Sequence, residues 1–355
     1  MSGEGLRATI GVSLWGGQIR GAQPNARTMV ARAAALPGVG RSARELFVQA
    51  YARFAERARA IEEPGVAVVA IDEASGAAAG LACVVARVGR PVAAIIGRHD
   101  RCDLFLSGRD ALSLRHLALV VDPVTSWARG APVRFRLLDL RTGQPMVDET
   151  GKPLRGLVAE GPAIVRCAGY ALFFLPLGDP SDFPASADDA WTMLPERVYL
   201  DERPSLDERP APSEGAQATH AKLRPRVDLR ATYITRTGGP RDTSMHLAHG
   251  DVAGVLEIHT PLRQLAISIG DRALRDGVLL GRYGRCDLME AAAEDHTLSR
   301  VHALLIHVED RLLLIDTAST NGTFVQGEPA RLVVIERDTE LGLGDHTTLR
   351  WRWKD

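Results

Sequence analysis

Aromatic side chains are scarce, 5% of 355 positions, so aliphatic residues must supply most of any core. Neither sign of charge is in excess: 43 Lys and Arg against 44 Asp and Glu leave a net charge of −1. That balance gives no electrostatic reason to expect nucleic acid or an anionic membrane as the main partner. No apolar run reaches the ~18–20 residues of a membrane span. The opening MSGEGLRATI lacks a charged head followed by an apolar stretch, so no cleaved secretion signal is expected. The four cysteines, Cys83, Cys102, Cys167 and Cys286, form no CxxC pair. They suggest neither a disulfide framework nor a metal site, and packed thiols in a reducing cytoplasm are the expectation. A dinucleotide-type glycine turn, a Walker loop, a GxSxG elbow and an HExxH set are also missing, so no enzymatic activity, cofactor or metal is expected.

What is present divides into four sections. Residues 1–62 end in an expected helix: Ser42 and Glu45 have capping-box spacing, and Phe47, Tyr51, Phe54, Ala58 and Ile61 share one face before Pro64-Gly65. That face is expected to dock on its own neighbouring domain. Residues 63–178 carry short β-branched apolar runs, among them Val66–Ile71, Ala82–Val88, Val92–Ile96, Leu117–Val121, Val133–Leu138 and Ala171–Leu175. Turn-rich gaps and the lack of alternating helices favour an all-β sandwich over a doubly wound enzyme fold. Residues 179–245, with six prolines between 180 and 212 and a repeated Asp-Glu-Arg-Pro, read as an extended linker, apart from an apolar exception at Trp191–Leu200. Residues 246–355 return to short strands, closing with Leu349, Trp351 and Trp353 alternating with Arg350 and Arg352. The whole reads as two tandem β-sandwiches.

The two β sections look like copies. Ile95-Ile96-Gly97-Arg98 through Cys102-Asp103-Leu104 aligns with Leu279-Leu280-Gly281-Arg282 through Cys286-Asp287-Leu288. Beyond it, Leu112-Ser113-Leu114-Arg115-His116 answers Leu298-Ser299-Arg300-Val301-His302. The Arg-to-Ser gap is 15 residues in the first copy and 17 in the second, too close a match of order and spacing for chance.

In the second copy the chain then reads Asp316-Thr-Ala-Ser-Thr-Asn-Gly-Thr323. A guanidinium supplies paired donors to a phosphate, a hydroxyl and loop amides take its remaining oxygens, and an Asn in a tight turn can fix a ligand's main chain. Arg282, Ser299, Thr320 and Asn321 are those parts. With these motifs in order, residues 251–355 resemble a forkhead-associated (FHA) domain of bacterial type, a β-sandwich that binds phosphothreonine peptides through loops at one end. The resemblance implies that Arg282 and Ser299 contact the phosphate, that Arg300 and Thr320 flank it, and that Asn321 holds the peptide backbone. Gly281, His302 and Gly322 match loop-shaping positions, with His302 expected to tie two loops, and Asp345 is expected in a turn.

The first copy resembles the family less. Gly97, Arg98, Ser113 and His116 are kept, but Asp139-Leu140-Arg141-Thr142-Gly143-Gln144 stands where Thr-Asn-Gly-Thr belongs, with Thr142 and Gly143 able to correspond and the Asn absent, and His116 to Asp139 spans 23 residues against 14 from His302 to Asp316. A vestigial phosphate site at Arg98 and Ser113 is the functional expectation, and a structural or protein-contact role the alternative. The implied function is a phosphothreonine-peptide-binding adaptor in Ser/Thr kinase signalling, with a phosphorylated protein and a Ser/Thr kinase as partners. The alternative is a scaffold whose folds serve contacts independent of phosphate. Thr192, Thr219, Thr232, Thr235, Thr237 and Thr243 in the linker suggest one regulatory route, occupation of the site in cis after phosphorylation.

Overall fold

The Ser42 hydroxyl accepts the Glu45 amide at 3.2 Å while the Glu45 carboxylate accepts the Ser42 amide at 2.8 Å, closing the expected capping box. Helix α1 (Ala43–Arg59) starts there and buries Leu46, Phe47, Ala50, Tyr51, Phe54, Ala55 and Ala58. The computed structural model describes residues 9–12, 41–127, 132–202, 231–237, 246–337 and 339–354.

Two sandwiches follow, as expected. The first has an outer sheet in the order Thr9–Val12, Ala78–Val85, Gly65–Asp72, Tyr170–Leu177, Ala163–Cys167, Met146–Asp148, Pro153–Leu154. Its inner sheet runs Glu196–Asp201, Ala231–Thr237, Gly156–Glu160, Arg134–Asp139, Leu117–Val121, Val92–Gly97, Leu104–Phe105. The second sandwich pairs a sheet ordered Gln264–Gly270, Val252–His259, Thr347–Trp353, Glu340–Leu343, Thr323–Val325, Glu328–Pro329 with one ordered Val278–Leu280, Ala303–Val308, Arg311–Asp316, Leu332–Val334.

Strand alternation explains why the apolar runs are continuous: several strands are buried on both faces. Val66, Val68 and Ala70 point into the first sandwich core. Ala67, Val69 and Ile71 point the other way, onto α1. Leu117, Leu119 and Val121 likewise fill the first core. Ala118 and Val120 instead join Leu279, Leu304, Ile306, Leu313 and Ile315 in a cluster between the two sandwiches. The layers are therefore helix, sheet, sheet, sheet, sheet, with the two domains mated through inner sheets. Equivalent positions of the two copies share this cluster: Ile95 and Leu279, Cys102 and Cys286.

The extended-linker reading of 179–245 is corrected over two stretches. Helix α2 (Ala187–Met193) packs against α1, with the Phe47 and Trp191 rings 5.3 Å apart. Glu196–Asp201 and Ala231–Thr237 pair in parallel and extend the inner sheet of the first sandwich. Tyr199 and Ile234 supply apolar surface to the first core, enough to hold these strands despite the flanking prolines. The cis-occupation idea narrows accordingly. Thr192 is tied within α2 to the Asp188 carbonyl, and Thr232, Thr235 and Thr237 lie in a paired strand, so none can reach another domain as an extended ligand. Thr219 and Thr243 lie outside the described residues.

Candidate functional site

Three loops at one end of the second sandwich carry the expected residues. Arg282 follows Val278–Leu280, Ser299 precedes Ala303–Val308, and Thr320-Asn321 sits where the chain crosses from Arg311–Asp316 to Thr323–Val325 in the other sheet. Gly281 permits the first two to approach: a Cβ there would lie 2.4 Å from the Arg300 carbonyl oxygen. The Arg282 and Tyr283 amides accordingly donate to the Ser299 and Arg300 carbonyls at 3.2 and 2.9 Å.

The side chains converge. Arg282 Nε donates to the Leu298 carbonyl at 2.6 Å, which orients the guanidinium and leaves its Nη groups without an acceptor among the described residues. Ser299 Oγ accepts the Thr320 amide at 2.9 Å and lies 3.4 Å from Thr320 Oγ1. Asn321 Nδ2 donates to the Thr297 carbonyl at 2.9 Å, which spans the mouth between the second and third loops. Thr320, Asn321 and Arg300 are exposed, whereas Ser299 is buried beneath them. Arg300 contributes its carbonyl to the scaffold, accepting from Tyr283 N and Cys286 Sγ, and its side chain faces solvent.

A buried histidine and a carboxylate hold this arrangement. His302, fully buried, accepts the Ser299 amide on Nδ1 at 3.0 Å, so its proton is on Nε2, which donates to the Gly322 carbonyl at 3.0 Å. It ties two loops, as its position in the sequence suggested, and burial lowers its pKa, keeping the ring neutral. Asp316 accepts from Ser319 N at 2.7 Å, Ser319 Oγ at 2.5 Å and Thr323 Oγ1 at 2.9 Å, folding Asp316–Thr323 back on itself. Sequence reasoning gave Asp316 no role, although an Asp three residues before a Ser is a turn signal. Asp345 does lie in a turn, its amide donating to Thr297 Oγ1 at 3.1 Å.

The first copy reproduces the scaffold but not the mouth. Arg98 Nε donates to the Leu112 carbonyl at 2.7 Å and the Ser113 amide donates to His116 Nδ1 at 3.1 Å. A Cβ on Gly97 would meet the Leu114 carbonyl oxygen at 2.3 Å. Hydrogen bonding sets the alignment of the third loop: Leu140 N donates to His116 O as Thr317 N does to His302 O, and Thr142 N to Asp139 Oδ1 as Ser319 N does to Asp316 Oδ1. Thr142 therefore matches Ser319, not Thr320, and Gly143 and Gln144 stand in the places of Thr320 and Asn321. Thr142 Oγ1 is committed to the Gln144 carbonyl at 2.8 Å and lies 3.3 Å from His116 Nε2. Arg98 and Ser113 are brought together, with no threonine hydroxyl opposite them.

Among the described residues no helix is long and apolar enough to cross a membrane, and no group of His, Cys, Asp or Glu has metal-ligand geometry.

No curated protein matches the sequence. Similar solved structures include the Slr1951 protein from Synechocystis sp., 19% identical, covering 29% of this chain and 98% of that one with a TM-score of 0.26. Another is Mycobacterium tuberculosis Rv1747 FHA-1, 22% identical, covering 29% and 99% at 0.24. A third is the yeast Dun1 FHA domain in complex with a doubly phosphorylated peptide derived from Rad53, 19% identical, covering 33% and 82% at 0.24. The model of the FHA domain family matches residues 278–348, a span that holds Arg282, Ser299, Thr320 and Asn321 together with their supporting His302 and Asp316. Residues 278–348 thus belong to the FHA domain family, and the chain carries an FHA domain there.

Proposed function

We propose that this protein is a phosphothreonine-peptide-binding adaptor in Ser/Thr kinase signalling, with the ligand held by the second sandwich. The observation that carries the reading is the tie of Arg282 Nε to the carbonyl of Leu298, next in the chain to Ser299 of the Ser299–Thr320 pair beside Asn321, which sets the guanidinium with its Nη donors unengaged among the described residues. Arg282 and Ser299 take the phosphate, Arg300 and Thr320 flank it, and Asn321 offers Oδ1 to the peptide backbone while Nδ2 stays on Thr297. The partners on this reading are a phosphothreonine-bearing protein and the kinase that modifies it, with no role for nucleic acid, membrane lipid, cofactor or metal and no catalysis.

The scaffold reading is favoured for the first copy alone. Its inner sheet buries one face against the FHA domain, and its loops lack the groups that would face Arg98 and Ser113.

Calorimetry of the full chain against a degenerate phosphothreonine peptide pool tests the proposal, with the unphosphorylated pool as control. The full chain is needed because residues 246–355 alone would expose Leu279, Leu304, Ile306, Leu313 and Ile315. Heat of binding with the phosphorylated pool only is the expected result. Equal binding of both pools, or of neither, refutes it.

A further inference from the structure

The loop bearing Thr320 and Asn321 is held from outside its own domain. Arg115 of the first sandwich, 5% exposed, donates to the Ala318 carbonyl from Nε at 3.1 Å and Nη2 at 2.6 Å. Arg101 Nη1 donates to the Ser319 carbonyl at 2.9 Å and also to the Thr320 carbonyl. Three successive carbonyls of the recognition loop are thus fixed by two guanidiniums from a different domain. Ala318 has φ 61°, a left-handed conformation unfavourable for a residue with a Cβ, so the loop has a local tendency to relax that these bonds oppose. The joint is reciprocal, though with different acceptors: Arg285, counterpart of Arg101, donates to the Arg141 and Arg115 carbonyls at 3.4 and 3.3 Å, and Arg141 has φ 56° at the place of Ala318. Only the bonds running from the first domain to the second end on a loop that faces a complete site.

We infer that Arg101 is a positioning residue for ligand capture by the FHA domain, acting across the domain boundary on the Ser319-Thr320-Asn321 backbone. It fixes the carbonyl side of that segment, so the Thr320 amide and hydroxyl stay on Ser299 and Asn321 stays over Thr297. The capture step rests on the phosphothreonine reading above; the ordering of the loop does not. The first domain is then part of the binding apparatus without touching the ligand, and weakening the joint near Arg101 lowers affinity at the distant face of the loop.

The test uses the full chain carrying Arg101→Ala, Arg101→Lys or Arg311→Ala. Arg311 donates to the Gly89 carbonyl at 2.6 Å, a bond between the same two domains that does not touch the recognition loop. Amide hydrogen exchange of Ser319, Thr320 and Gly322 is measured without ligand, and affinity is measured with the phosphothreonine peptide pool. Arg101→Ala should speed exchange at these amides and weaken binding about tenfold, as expected for loss of charge-assisted bonds. Arg101→Lys, which keeps a donor, should fall between Arg101→Ala and wild type, and Arg311→Ala should match wild type in both measurements. Unchanged exchange in Arg101→Ala, or faster exchange with undiminished affinity, overturns the inference, as does an equal effect of Arg311→Ala. If wild type binds no phosphopeptide the functional reading falls, and the exchange comparison alone decides whether Arg101 orders the loop.

Discussion

Truncating Arg282 to Ala removes the donors on which phosphate capture depends. Its Nε is already committed to the Leu298 carbonyl at 2.6 Å, so Nη1 and Nη2 are what remain for a dianion. Two hydrogen bonds to a charged group are worth roughly 3–6 kcal/mol together. The site is open to water, which recovers part of that for the unbound ion, so we expect about 3 kcal/mol, or about a hundredfold in affinity. Arg98 is an internal control. It makes the same Nε bond, to the Leu112 carbonyl at 2.7 Å, but Gly143 replaces the threonine that would complete its site. Arg98→Ala should therefore leave phosphopeptide affinity where it was. Calorimetry of both variants, with thermal denaturation to confirm folding, reads the difference. Wild-type affinity in Arg282→Ala, or loss of binding in Arg98→Ala, would show that the phosphate goes elsewhere.

Three further outcomes are expected. Burial, with Arg285 nearby, pushes the His116 pKa from 6.5 down to about 4, so the fold favours the neutral ring. Its stabilisation is complete above 6.5 and declines as pH falls toward 4, by about 3 kcal/mol over that window. Urea midpoints of wild type and His116→Asn should diverge in their pH dependence over this range, and parallel curves would contradict the assignment. Phe47 is 2% exposed among the rings of Tyr51, Phe54, Phe173 and Trp191, so Phe47→Ala should cost about 3–5 kcal/mol in thermal unfolding, and a change under 1 kcal/mol would mean α1 is dispensable. All four thiols are buried, with pKa values raised by burial to about 11 for Cys83, Cys102 and Cys286 and about 12 for Cys167. A thiol reagent at neutral pH should label none before denaturation; rapid labelling of the native chain would refute the packing.

The sequence made local signals legible and concealed long-range ones. The capping box at Ser42 is written within a few residues and forms as read, and the equally local Gly-Arg and Ser-x-x-His pairs lie on neighbouring loops at one end of the second sandwich. The apolar exception at Trp191–Leu200 does lie on a domain, but its pairing as strand Glu196–Asp201 escaped because its partners, Ala231–Thr237 and beyond them Gly156–Glu160, are far away in the chain, and half-buried positions among prolines leave little alternation to see. Matching Thr142 to Thr320 failed by one residue, because letters alone do not show that Thr142 is bound to Asp139 as Ser319 is to Asp316. Arg101 and Arg115 received no role from the sequence, since nothing near them in the chain announces the carbonyls of 318–320.

In the first copy, the stretch just after the Gly97-Arg98 pair also helps keep the two halves of the molecule joined. Asp103 holds the Ile95 amide and pairs with Arg331 of the other half at 2.7 Å, while Cys102 sits in the shared apolar seam. Selection on that seam would preserve the Gly-Arg through Asp-Leu stretch after all ligand capture had been lost. In proteins with duplicated domains of this kind, that stretch is therefore a poor guide to which copy binds. The turn that crosses between the sheets, which adds only Leu140 and Ala318 to the seam's apolar packing, is where the two copies differ most in the groups they present.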